Sequence, residues 1–459
     1  MLPGAEGDGS RRANLSFLSA VIGLVLLIAY FCTQVQVVGA QSASRAGEWE
    51  TVPAPDLGEY GGEITGLAIV SPDDVWAVGT SEEYLDDGGY LTHIAVRHWD
   101  GKRWHTVPTP NGSPHLRYGA YLRGVEAIDS DDVWAVGAYA EHEVGWQPLA
   151  LHWNGTAWHI IPTPKLVPQP GSGLFSELTE IAVVSANDVW AVGYRGEQTL
   201  TMHWDGVAWR ILPSPNTERG NGVLLGVAAV SADDVWAVGN GRDTPQAEFL
   251  LLHWDGVAWT VVEPPPYRKT GWDFLNAVAA VSANDVWAVG YSGTHLSEAD
   301  AVTMHWDGMA WTVVPSIAGA GTLWDVAAAP DGRVWAVGDI SGRGLRENRS
   351  LITRWGGDRW LQMESPNPGN YWNRFRSVAV SGSEVWAVGS YSGTEGGGTM
   401  ILHSRGADNI RLGMPRTGAN SSGPDGLLLS AMYVAVLLIL SGLVLRATMA
   451  ATRDIWGLR

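Results

Sequence analysis

The 459-residue chain has a single cysteine, Cys32, and only three lysines, Lys102, Lys165 and Lys269. One cysteine excludes an internal disulfide and any cysteine-based metal centre. The shortage of lysine leaves the positive charge almost wholly to arginine, and 29 Lys and Arg against 48 Asp and Glu give a formal net charge of −19. A chain this acidic lacks the basic footprint that nucleic-acid binding requires, so no nucleic-acid partner is expected. Also missing between residues 47 and 405 is any apolar periodicity of helical spacing, which excludes a helical bundle or an α-solenoid over that stretch.

What the chain has instead is repetition. Val-Trp-Ala-Val-Gly occurs seven times, around Trp76, Trp134, Trp190, Trp236, Trp287, Trp335 and Trp386. The spacing, about 50 residues, is that of a propeller blade and not of a helical repeat. A second signature, His-Trp-Asp-Gly-x-x-Trp or a close variant, comes after it at His98–Trp104, His152–Trp158, His203–Trp209, His253–Trp259 and His305–Trp311. A sixth copy runs from Arg354 to Trp360, and the seventh stops at His403 without its second tryptophan. The missing half stands at the front, where Gly47-Glu48-Trp49-Glu50-Thr51-Val52-Pro53 matches the segment around Trp158. Seven first halves and seven second halves, one displaced to the N-terminus, predict a closed ring.

One unit shows how each blade is built. Gly226–Val230 reads as a strand, Ser231–Asp234 as a turn, and Val235–Val238 as a second strand closed by Gly239. Phe249–Trp254 makes a third strand, Asp255-Gly256 a tight hairpin turn, and Trp259–Val262 a fourth strand ended by Pro264-Pro265-Pro266. The expected fold is therefore all-β, a seven-bladed propeller of four-stranded blades with the N-terminal strand completing the last one.

Twenty of the 25 tryptophans sit at repeated positions, which makes them filler between twisted sheets. The repeated histidines (His98, His152, His203, His253, His305, His403) are spread one per blade, too far apart to share a metal. The acids before each second strand (Asp74, Asp132, Asp188, Asp234, Asp285, Glu384) read as turn residues, and Arg333 alone breaks that series. No catalytic residue, metal site or cofactor is expected among them.

The combined pattern, Leu-x-x-Val-Ala-x-Val-Ser-x-x-Asp-Val-Trp-Ala-Val-Gly and then Trp-Asp-Gly-x-x-Trp, resembles the repeats of sialidase-type propellers and of photosystem II assembly-factor propellers. Those families carry an Asp-box, Ser-x-Asp-x-Gly-x-Thr-Trp, between third and fourth strands. Here Trp204-Asp205-Gly206-Val207-Ala208-Trp209 is one residue shorter and lacks the Ser and Thr. The resemblance covers residues 47–405 and implies the fold, because propellers host enzymes, binding modules and scaffolds alike.

Two segments stand apart from the ring. Arg11-Arg12 precede an apolar run over residues 15–32, long enough to span a bilayer and oriented to export the ring. Residues 1–41 are thus either a signal peptide cleaved after Ala40 or an uncleaved anchor. Residues 427–445 form a second apolar run with Arg446, Arg453 and Arg459 beyond it, read as a transmembrane helix with a cytoplasmic tail over 446–459. Between ring (42–405) and helix lies a Gly-, Ser- and Pro-rich stalk, 406–426, which reads as a flexible tether. Its Met414-Pro415-Arg416-Thr417-Gly418 resembles the Leu-Pro-x-Thr-Gly pentad of sortase substrates, with Met in place of Leu. That resemblance implies cleavage between Thr417 and Gly418 and display on a bacterial surface; the alternative is a plain stop-transfer anchor. The expected location is extracytoplasmic, held at the membrane through the terminal helices.

Blade geometry puts the first-to-second and third-to-fourth turns on one rim, here the turn rim, and the long variable loops on the other, the loop rim. Both chain ends leave from the turn rim, so the loop rim faces away from the membrane and is where binding is expected. Non-repeated aromatics gather there: Trp146, Trp272, Trp324, Trp372, Tyr121, Tyr267 and Tyr371, with Arg123, Arg268, Arg374 and Arg376. Such aromatics with arginines are typical of recognition surfaces. Glu126, Glu180 and Asp325 replace Gly or Ala near the channel mouth, where pairing with Arg123 or Arg376 is expected. The leading reading is a monomeric, non-catalytic binding module for an extracellular protein, peptide or glycan. An alternative is a glycan-active enzyme: a sialidase-like group from Arg123, Arg374, Arg376, Tyr121 and Glu126, or a glycosidase pair from Glu126 and Glu180. A third is an assembly factor for membrane complexes.

Overall fold

The computed structural model describes residues 49–405, apart from short loop segments at 54–56, 58–60, 86–88, 113–115, 168–174, 219, 242–246, 268–271, 295–298, 317–320, 342–347 and 395. These residues form seven four-stranded antiparallel sheets. Blades 1 to 6 cover residues 62–106, 120–161, 176–212, 223–261, 272–314 and 322–362; blade 7 combines residues 372–405 with the N-terminal strand. In blade 4 the strands are Val223–Ser231, Asp234–Asn240, Phe249–Trp254 and Trp259–Val261, within a few residues of the sequence reading. The expected apolar helices at 15–32 and 427–445 lie outside the described residues. Among the described residues the helical content is one 3-10 turn, Pro110–Gly112, and no helix is long and apolar enough to cross a membrane.

The displaced strand closes the ring as the repeats demand. Glu50 pairs with His403 and Thr51 with Leu402, so Glu50–Thr51 is the fourth strand of blade 7. Its tryptophan repeats a contact made at every blade junction. The fourth-strand indole of each blade stands edge-on against the Val-Trp-Ala-Val-Gly indole of the blade before: Trp158 on Trp76 at 5.5 Å, Trp209 on Trp134 at 5.7 Å, and Trp104 on Trp386 at 5.5 Å. Trp49 makes the same contact with Trp335 of blade 6, at 5.9 Å and an interplanar angle of 83°. A T-shaped pair sets the positive edge of one ring against the negative face of the other.

The apolar interior is divided among the seven junctions between neighbouring blades. Between blades 1 and 2, for example, Trp76, Val78, Ile94 and Val96 pack against Leu122, Val125, Val133, Leu149 and Trp158. The glycine that ends each Val-Trp-Ala-Val-Gly is imposed by backbone proximity. A Cβ on Gly239 would sit 1.9 Å from the Val223 carbonyl oxygen of the first strand, and one on Gly338 would sit 1.8 Å from that of Thr322. No side chain fits there.

The repeated histidines and acids, read separately from sequence, form one unit. His98, His152, His203 and His253 each place Nε2 2.8 Å from an Oδ1 of Asp74, Asp132, Asp188 and Asp234, and His305 lies 2.9 Å from Asp285. Each imidazole also lies on the neighbouring indole, as His203 does on Trp190 at 4.4 Å. In blade 7 the buried His403 bonds Glu384 and stacks on Trp386 at 4.1 Å. Blade 6 departs from this: Arg354 lies over Trp335 at 5.8 Å, and Arg333 pairs with Asp331.

Candidate functional site

In every blade the first strand skips one residue of its pairing with the second, near the loop rim. The breaks fall at Ile64/Gly66, Leu122/Gly124, Leu178/Glu180, Leu224/Gly226, Leu275/Ala277, Leu323/Asp325 and Phe375/Ser377. Each bulge releases one residue from the ladder and re-aims its side chain. The released residues are Thr65, Arg123, Thr179, Leu225, Asn276, Trp324 and Arg376. Thr65, Thr179 and Asn276 use this freedom on the next blade, donating to the carbonyls of Leu122 (3.0 Å), Leu224 (2.8 Å) and Leu323 (2.7 Å). The residues after the bulge line the central channel, and three of them or their neighbours are the acids Glu126, Glu180 and Asp325.

The largest group of predicted rim residues spans blades 6, 7 and 1. The Arg374 guanidinium lies over Trp372 at 5.6 Å and over Trp324 at 5.2 Å, and that of Arg376 lies over Trp324 at 4.5 Å. Indole and guanidinium thus alternate as Trp372, Arg374, Trp324, Arg376, a favourable arrangement of cations on π-faces. Two acids fix it. The buried carboxylate of Asp339 accepts from Trp324 Nε1 at 2.7 Å and from Arg374 Nε at 3.2 Å, while Glu63 accepts from Arg376 Nε at 2.8 Å. Burial raises the Asp339 pKa against the pull of the indole and both arginines. Both arginine side chains keep 26% exposure. Aromatic contact continues into blade 5, where Tyr291 lies 6.2 Å from Trp324 and stacks on Phe274 at 4.9 Å, with Trp272 6.1 Å beyond. Burial pushes the Tyr291 hydroxyl up to about 12.

A second group joins blades 2 and 3. Tyr121 donates its hydroxyl to the buried Glu177 and packs on Trp146 at 5.0 Å, and Trp146 packs on Phe175 at 5.5 Å. Arg123 lies over the Tyr121 ring at 4.8 Å and 3.9 Å from Glu177. Burial and then the Glu177 charge drive the Tyr121 pKa upward, so this phenol stays neutral. Tyr371 stands apart with 54% exposure, and Tyr267 packs on Phe249 at 5.8 Å. Arg268 and the Thr417-Gly418 pair lie outside the described residues.

The channel acids are not paired as the sequence suggested. Arg123 and Arg376 are taken by Glu177 and Glu63, which leaves Glu126, Glu180 and Asp325 facing one another across a cavity of about 270 Å³ walled by Gly, Ala, Val and Ile. Asp325 accepts from the amides of Val326 and Val378 (2.8 Å each) and from the Ser377 hydroxyl (2.9 Å), tying blade 6 to blade 7. Glu180 accepts from the Ile181 amide at 3.0 Å and lies over Gly124, where a Cβ would come 2.3 Å from its Oε1. Glu126 opens onto the lumen but is enclosed by the ring on every side. Enclosure by the channel wall and the neighbouring Asp325 charge push it up to about 7. Burial lifts Asp325 to about 6 against its three donors, and raises Glu180 well above the usual carboxylate range.

The pair of the glycosidase alternative, Glu126 and Glu180, lines the channel, and both carboxyls are pushed toward the neutral form. The sialidase-like group is divided: Arg374 and Arg376 are held by Asp339 and Glu63, Arg123 and Tyr121 by Glu177, and Glu126 faces the channel. Among the described residues no group of three or more His, Cys, Asp or Glu is placed to hold a metal. Sequence reasoning missed Asp339, Glu177, Glu63 and Tyr291. Their signal is present, since Asp339 and Tyr291 stand directly after a Val-Trp-Ala-Val-Gly, where the chain is still on the second strand.

Fold and rim together define a seven-bladed β-propeller with irregular aromatic and arginine clusters on one face. The chain matches no family profile and no curated protein. Among solved structures it is similar to the GH74 xyloglucanase from Xanthomonas campestris, at 15% identity and a TM-score of 0.51, covering 80% of this chain and 54% of that one. YCF48 from Cyanidioschyzon merolae matches at 15% identity and a TM-score of 0.48, covering 78% of this chain and 99% of that one. At these identities the likeness is one of fold.

Proposed function

We propose that the ring is a non-catalytic binding module, tethered at a membrane or bacterial surface, which engages an extracellular protein, peptide or glycan through its loop rim. The observation that carries this reading is the alternating Trp372, Arg374, Trp324, Arg376 stack. Its members are not set by the repeat, since Trp372 recurs only as Trp272 and Arg376 only as Arg123; its arginines are still partly exposed, and aromatic–arginine clusters of this kind supply most of the energy at recognition surfaces. Trp146, Tyr121 and Arg123 extend the same rim into blade 2. The tethers are the apolar runs at 15–32 and 427–445, both joined to the turn rim, with Thr417-Gly418 as the point of sortase transfer where that enzyme is present.

The test is a glycan and peptide array probed with the ectodomain, residues 42–405, as wild type and as Trp324→Ala with Trp372→Ala. Loss of the hits is expected while the melting transition stays cooperative. Because Trp324 bonds Asp339 within the ring, Arg376→Gln and the exposed Tyr371→Ala serve as milder variants. Hits unchanged in all of these would refute the assignment to this rim.

A further inference from the structure

The turn rim is not uniform. At the tip of the third-to-fourth turn, blades 3, 4 and 5 present Val207, Val257 and Met309, exposed to 81%, 83% and 87%. The same position in blades 1, 2 and 6 holds Lys102, Thr156 and Asp358. Nothing in the turn needs an apolar residue there: the backbone is held by Asp205, Asp255 and Asp307, each accepting from two amides at 2.9 to 3.0 Å. The apolar character continues up the outer edge through Ile211 and Val261, 42% and 51% exposed. Water-facing apolar side chains at three consecutive tips form an arc of the kind that marks an interaction surface.

Its placement indicates the occupant. Both ends of the ring leave from this rim, at Trp49 and Arg405 of blade 7. Blades 3 and 4 stand across the ring from blade 7. The chain continues from those ends into its two long apolar runs, residues 15–32 and 427–445. The two exit points on one side of the ring and the apolar arc on the other define a plane, and the apolar runs that follow those exits in sequence suit a lipid bilayer as its partner.

We infer that Val207, Val257 and Met309 seat the propeller flat on the membrane, inserting at the headgroup level opposite the tethers. This deepens the proposed function and rests on its membrane-tether reading. Seating holds the loop rim parallel to the surface and facing outward, with the channel axis along the membrane normal. The one arginine at these three turns, Arg210, is paired with Asp205 at 2.6 Å, and the turns otherwise carry carboxylates, so the surface they fit is a zwitterionic interface and not a strongly anionic one.

The experiment uses the full chain with Cys32→Ala, reconstituted in phosphatidylcholine vesicles. A nitroxide is attached in turn through Val257→Cys, Met309→Cys, Asp358→Cys, Tyr371→Cys and Leu438→Cys. Collision rates with oxygen and with a water-soluble nickel chelate report depth. Labels at 257 and 309 are expected to meet the chelate several-fold less often than the label at 371 on the loop rim, with the 358 label, on the turn rim but not inserted, between them and the 438 label in the hydrocarbon. Labels at 257 and 309 as wet as 371, while 438 is buried, overturn the seating and leave the tether reading standing. A wet 438 label overturns the tether reading and the seating with it. Spin–spin broadening at 257 assigns the arc to a second copy of the chain and likewise overturns the proposal.

Discussion

Glu126 offers a perturbation whose effect depends on pH in a way that few alternatives reproduce. Its carboxylate accepts no hydrogen bond among the described residues, so Glu126→Gln removes a charge at nearly constant volume without orphaning a donor. Enclosure in the channel, with Asp325 nearby, lifts its pKa from 4.5 to about 7. Because the folded value lies above the unfolded one, the ring keeps a proton that the unfolded chain releases, and this contribution is intact below about pH 4.5 and lost as pH rises through 7. Fully unscreened, that rise in pKa corresponds to ~3.4 kcal/mol, and lumen water screening an exposed side chain brings it to ~1.5 kcal/mol. The variant should match wild type near pH 4 and be more stable by ~1.5 kcal/mol at pH 8, or about 1–4 °C in melting temperature. Tryptophan emission during thermal unfolding at pH 4, 6 and 8 measures it. A gain that is the same at pH 4 and pH 8, or a loss at pH 8, refutes the argument that enclosure in the channel destabilises this charge.

Other expectations come from the ring itself. Deleting residues 42–53 should lower the melting temperature of the ring strongly, since it removes the fourth strand of blade 7 and the Trp49 contact with Trp335, whereas ending the chain at 410 should leave it unchanged. Equal transitions for the two truncations would contradict the split blade. Gly239→Ala should abolish soluble expression, because its Cβ would overlap the Val223 carbonyl oxygen at 1.9 Å, while Gly332→Ala, with open space around it and a φ of +87°, should cost only about 1 kcal/mol of backbone strain. Asp188→Ala and His203→Ala should each cost ~1 kcal/mol, and the double variant less than their sum, since the two form one hydrogen-bonded pair at 2.8 Å. Strict additivity in denaturant titrations would show that the pair is not a unit.

The fold was legible because its determinants are local and repeated. Alternating apolar residues, an Asp-Gly turn and the Val-Trp-Ala-Val-Gly core each specify their own strand or turn, and seven copies average out the ambiguity of any one. Even the displaced strand could be assigned, since the count of half-units balances only if Trp49 belongs to blade 7. The rim site was legible in composition but not in connectivity. Trp324, Trp372, Arg374 and Arg376 announce themselves by breaking the repeat, yet their order as a stack depends on a bulge and on Asp339 in a neighbouring strand. The channel acids show the same limit. Their departure from Gly and Ala was visible, but an arginine nearby in sequence was the natural partner to expect. The bulge at Arg123 and Arg376 turns both guanidiniums toward Glu177 and Glu63 instead.

That bulge explains why irregularity collects where it does. Along most of a blade each side chain either fills a junction between sheets or contributes a cross-strand contact, so its identity is tied to the fold. The residue skipped at the bulge makes no ladder pair, and the ladder resumes on both sides whatever its side chain. Seven such positions circle the channel mouth, and they hold Thr, Arg, Thr, Leu, Asn, Trp and Arg in turn. Where the residue is Thr or Asn it fastens the next blade through a carbonyl. Where it is Arg or Trp it builds surface. The ring therefore offers a set of sites at which recognition chemistry can change with little cost to the scaffold. The Trp324 and Arg376 stack occupies two neighbouring ones, beside the junction that the N-terminal strand closes.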